Sequence, residues 1–282
     1  MNNKFNWNRF CKVVNKDFRN IWHTFGPTML ILAVLPFALW LFILVLKQGD
    51  HVSMPSDIRL IMIEGLAYLA ALMAPSRMYR TWNLTNEGIY YAMLPASKLE
   101  KFCSALLYSI VICPLAVYLG GMALDVFLTA LPFGPWQSWL WEGKMGFPFT
   151  VDLSALSGLS AGEPGGNMFM HFGSLWVIGC WAGYIGTVLM FVFTSTIFKR
   201  HKVLQTILWL YVIEFVISII LIPVFLAVFT NTNFMEWIYD TFYGVDPTVA
   251  FNWLFWGTIV VDVLLAGLFG WLSWRRLKRM AY

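Results

Sequence analysis

Residues Arg77–Lys101 read RMYRTWNLTNEGIYYAMLPASKLEK. This polar stretch lies between two long apolar runs, and its reading decides the fold. Arg77, Arg80, Lys98 and Lys101 mark it as a cytoplasmic loop between two membrane spans. Ile89, Tyr90, Ala92 and Met93 fit one side of a short amphipathic helix, which Pro95 ends. Ser97-Lys98-Leu99-Glu100 then has the pattern of a capping box. The Ser97 hydroxyl takes the amide proton of Glu100, and the Glu100 carboxylate reaches back to the amide of Ser97. The loop is therefore a helix, a break, and a capped new helix that runs into the membrane. A partner pushing on such an element would move the membrane helix behind it.

Composition supports the membrane reading. Of 282 residues, 59% are hydrophobic and 12% charged, against about 25% charged in soluble domains. The expected fold class is all-α: a polytopic membrane protein forming one transmembrane domain over residues 1–282, with six spans and both termini cytoplasmic. The 15 Trp and 24 Phe suit aromatic belts at the two interfaces. The net charge of +4 is no nucleic-acid signal, because the basic residues are spread among span ends. Cys11, Cys103, Cys113 and Cys180 have no CxxC or Cys/His spacing and are expected as free thiols. The N-terminus does not read as a cleavable signal, since its polar start is long and no A-x-A site follows the first apolar run.

Residues 4–24 interleave Lys4, Arg9, Lys12, Lys16 and Arg19 with aromatic and aliphatic residues, and Phe10, Val14, Phe18 and Ile21 recur at helical spacing. That pattern predicts an amphipathic helix on the inner face of the bilayer. Spans are expected at 27–46, 58–74, 102–124, 172–198, 203–229 and 251–274, with kinks at Pro36 and near Pro114. Gly120-Gly121 and the Gly179/Gly183 step mark faces of close helix contact. Residues 77–101 form the inner coupling loop, and 125–170 a long outer segment, aromatic at first and then Gly/Ser-rich. Sixteen of the 19 Lys and Arg fall on the side this topology makes cytoplasmic; Lys47, Arg59 and Lys144 fall outside.

Catalytic and cofactor motifs are weak. There is no GxxxxGK[ST] and no HExxH, and the four histidines are far apart, so neither metal nor cofactor is expected. Gly158-Leu159-Ser160-Ala161-Gly162 matches GxSxG, but without the strand and helix of a nucleophile elbow it reads as loop composition. More informative are the intramembrane carboxylates Glu64, Glu214 and Asp262, with Asp125 at the outer end of a span. A charge at mid-depth costs about 2.5–3.5 kcal/mol, so each should face protein or water. Two readings stay open for them: a polar path or proton relay, and plain hydrogen-bonded glue between helices. No Lys or Arg at mid-depth stands out as a partner.

The chain resembles the six-span permease subunits of ATP-binding-cassette transporters of the type-2 exporter class. Four features carry the resemblance: the amphipathic helix before the first span, the inner loop with its phrase Met93-Leu94-Pro95-Ala96-Ser97-Lys98-Leu99-Glu100-Lys101, the tight turn at Lys199–Lys202, and the aromatic segment between spans five and six. The resemblance implies a multi-pass protein of a bacterial cytoplasmic membrane and a homodimer or heterodimer of permeases. Each subunit would dock on a cytoplasmic ATP-binding chain that hydrolyses the nucleotide, so that this chain is itself no enzyme. It implies docking through Asn86, Glu87, Tyr90, Tyr91 and Met93. The outer segment 125–170 is longer than that class leads one to expect. Two other functions are compatible with the residues: a proton-coupled secondary transporter using Glu214 and Asp262, and a membrane scaffold or sensor whose outer face is 125–170. Six spans without an internal repeat is small for the former.

Overall fold

Helices lie over every one of the six apolar runs. The computed structural model describes residues 5–46, 56–83, 96–130, 144–145, 151–152, 166–198, 202–229 and 247–279. The helices are α1 (Trp7–Thr24), α2 (Gly26–Leu46), α3 (Ser56–Asn83), α4 (Lys98–Leu107), α5 (Cys113–Ala130), α6 (Gly166–Ile197), α7 (Lys202–Phe229) and α8 (Pro247–Arg279). A π-helical turn, Tyr108–Ile112, joins α4 to α5. The described residues depart from helix only in short connections and in one two-residue antiparallel pair, β1 (Lys144–Met145) with β2 (Val151–Asp152). Four helical stretches are long and apolar enough to cross a membrane: Ile58–Tyr79, Lys98–Ala130, Val177–Ile197 and Phe255–Lys278. The pair α1–α2, bent by 60° at Phe25, makes a fifth if counted as one.

The connection between α3 and α4 starts later than the sequence suggests. Helix α3 runs through Pro75 to Asn83 because its last turns are packed: Tyr79 is buried against Ala105 of α4 and Tyr184 and Val188 of α6. Helix α4 opens at Lys98, where the Ser97–Glu100 capping box predicts a new helix. The outer segment is trimmed likewise, since α5 continues to Ala130 and α6 begins at Gly166.

Helix α3 is the centre of the bundle. Ala67, Ala70 and Ala74 pack on one side against Phe25, Met29, Tyr108 and Val117, while Ala71 packs on the other among Tyr184, Val188 and Leu277. Small side chains let neighbouring backbones approach, which is what drives helix association where lipid is as apolar as leucine. Gly121 shows how close that approach is: a Cβ there would lie 3.0 Å from Cγ2 of Ile63 on α3. The most extensive helix pair is α6 with α8, and its seam is the expected glycine face. A Cβ on Gly179 would meet Ile259, and one on Gly183 would meet the Asp262 carboxylate. Outward faces stay apolar, with Leu204, Trp209 and Phe215 on α7 and Val261, Leu264 and Trp271 on α8 all exposed. That is the pattern of helices solvated by acyl chains.

Candidate functional site

The groups that could carry function gather at the start of α4. Its capping box is formed: the Ser97 hydroxyl accepts from the Glu100 amide at 3.2 Å, and Glu100 Oε2 accepts from the Ser97 amide at 2.9 Å. The second carboxylate oxygen does different work. Glu100 Oε1 accepts from the backbone amide of Asn6 at 2.8 Å, and from the Arg9 guanidinium at 3.2 Å. Asn6 is the N-cap of α1. One fully buried carboxylate therefore fills the exposed amides at the beginnings of two helices, where negative charge is also favoured by the helix dipole.

Two further bonds seal α1 to the same element. Asp17, buried on α1, accepts from the Ser104 hydroxyl at 2.6 Å. The Tyr108 hydroxyl donates to the carbonyl of Val14 at 2.7 Å. Burial pushes the Asp17 carboxyl up to about 6, against the opposing pull of the Ser104 bond and the charges of Lys16 and Lys101. On the far side, Lys98 Nζ donates to the carbonyl of Lys278 at 3.0 Å, and Phe102 packs on Trp274 with ring centroids 5.6 Å apart. The end of the inner loop is thus fastened to α1 and to the last turns of α8.

Beyond this block the span changes character at the π-helical turn. Pro114 has no N–H, so the carbonyl of Ile110, four residues earlier, loses its helical donor. The Cys113 amide bonds Tyr108 instead, and the Tyr184 hydroxyl of α6 donates to the Ile110 carbonyl at 2.7 Å. The irregularity expected at Pro114 is therefore a widened turn one step before it, held by a tyrosine from another helix.

The residues expected for docking, Asn86, Glu87, Tyr90, Tyr91 and Met93, lie outside the described residues. Glu214 lies on α7, and its side chain is outside them too. Glu64 of α3 lies within electrostatic reach of Tyr118 on α5. Asp262 faces α6 at Gly183. The structure does not bring Glu64 and Asp262 to a common site with the α4 block. Asp125 is different: it makes a buried ion pair with Arg59 of α3 at 2.6 Å. Arg59 lies buried on α3, and it is the basic partner that sequence reading did not assign to Asp125.

The face of α1 needs correction as well. Phe10, Val13, Asp17 and Ile21 are buried, whereas Phe18 is exposed and stacks on exposed Trp22. Asp17 escaped notice although it falls at helical spacing from Phe10, Val13 and Ile21, which was the available signal. Among the described residues no group of three His, Cys, Asp or Glu could hold a metal ion. Compared with protein-family models, with curated proteins and with solved structures, the chain matches none.

Proposed function

We propose that the chain is the membrane subunit of an export system driven by a separate cytoplasmic ATPase, with six spans, both termini cytoplasmic, and α1 lying along the inner interface. The observation that supports this reading is the Glu100 carboxylate. It joins the element directly after the inner loop to α1, and Lys98 joins it to α8. A plain connector between spans needs no such fastening. A loop that receives force from a partner does, because force on a slack loop moves nothing behind it. On this reading the partner grips the segment around Asn86–Met93, and Tyr90, Tyr91 and Met93 offer it the aromatic and Met surface typical of interface cores. The partner's closure shifts α4, α1 and the end of α8 together, and the subunit acts as a homodimer or heterodimer of permeases.

Purification from the native host tests the proposal. The wild-type chain is expected to bring down an ATP-hydrolysing polypeptide. The double substitution Tyr90→Ser and Tyr91→Ser is expected to leave membrane insertion intact and to lose that polypeptide. Wild-type protein that purifies without any ATPase would move the scaffold reading ahead.

A further inference from the structure

Lys202 is the first residue of α7, and it is 8% exposed. Its Nζ is sealed from solvent and has no hydrogen-bond partner among the described residues. An unpaired ammonium in such a place is costly, since removing an ion from water is repaid only by a counter-charge and good hydrogen bonds. Among the described residues no carboxylate is found beside it. The Thr206 hydroxyl donates to the carbonyl of Lys202 at 2.7 Å and lies 2.9 Å from the Thr194 hydroxyl. A helical side chain leans toward its own N-terminus, so the ammonium lies toward the opening of α7, where backbone N–H groups and the helix dipole also favour an anion.

The geometry points to an anion site at the inner end of the α6–α7 pair, built on Lys202 and taking a phosphate group. The phosphate can come from the headgroup of an anionic phospholipid or from free phosphate, and the chemistry of capture is the same. Lysine serves phosphate as a point charge on a flexible stem. On meeting the anion the stem swings its head toward the interface, as long basic side chains near span ends do. This site goes beyond the transport reading and does not depend on it.

The test uses the full chain in nanodiscs of phosphatidylcholine alone, of phosphatidylcholine with phosphatidylglycerol, and of phosphatidylcholine with inorganic phosphate added. Thermal midpoints and lipids retained in native mass spectra are compared for the wild type, K202M and K202R. Phosphatidylglycerol is expected to raise the wild-type midpoint, with K202R keeping the gain and K202M losing it. Affinity for the retained lipid should fall about ten- to a hundredfold in K202M, the worth of a hydrogen bond to a charged group. If inorganic phosphate alone produces the same Lys202-dependent gain, the site stands and its source is free phosphate. Should K202M fail to assemble, K202Q carries the same comparison. Equal gains in the wild type and the neutral variant, or no gain from either probe in the wild type, overturn the site.

Discussion

Asp17 shows how much one residue can decide. It is an acid on the packed face of a helix, and its pKa of about 6 is set first by burial. The unfolded chain holds the same carboxyl near its ordinary value of about 3.9. Between those values the folded state binds the proton more tightly, so the Asp17 contribution to stability falls as pH rises from about 4 to about 6. Above that range the full penalty is present, on the order of 3 kcal/mol. Thermal unfolding in nanodiscs should therefore show a wild-type midpoint that drops between about pH 4 and pH 6.5, and Asp17→Asn should remove most of that drop. An unaltered slope in the variant would assign the titration to another group. The capping box was legible in the sequence because all of it lies within Ser97–Glu100. The second half of Glu100's role was not, because its partners Asn6 and Arg9 are more than ninety positions away. Arg59 and Asp125 were likewise hidden, since each alone reads as an ordinary charge at a span end.

At the scale of elements, helices were legible from apolar runs, whereas their ends depended on tertiary packing. Nothing local says that α3 continues past Pro75; the burial of Tyr79 between α4 and α6 does. The turn Tyr108–Ile112 has the same character. Pro114 announces a break, but its form depends on Tyr184 arriving from α6. The turn interrupts the regular helical ladder and so divides the fastened start of α4 from α5. Tyr184→Phe strands the Ile110 carbonyl and should destabilise the bundle by about 1–3 kcal/mol. Pro114→Ala restores an N–H that can reach that carbonyl, so the double substitution should cost less than the sum of the single ones. Simple additivity in chemical unfolding would mean that Pro114 and Tyr184 do not act on the same carbonyl.

The described helices form a bundle around α3 whose outward faces suit lipid, with the starts of α1 and α4 tied into one block. The proposed orientation, with both termini cytoplasmic, rests on the uneven placement of Lys and Arg. Single cysteines placed in a Cys-free background should react with a membrane-impermeant reagent in residues 131–165 and 230–246, and not at Asn3 or Met280. Outside labelling at either terminus would overturn the six-span arrangement. If the chain is the proposed export subunit, α1 and the start of α4 move as a unit, with the π-helical turn as the joint. This motion is tested most directly by spin-label distances in the complex purified from the native host, with and without ATP. One label sits on Cys11, exposed on α1, with the other cysteines replaced; the second sits at Leu99 on α4 or at Phe127 on the outer half of α5. The Cys11–Leu99 distance should stay narrow and unchanged on adding ATP, while the Cys11–Phe127 distance shifts. The reverse pattern, or two distances that ignore ATP, would contradict the account.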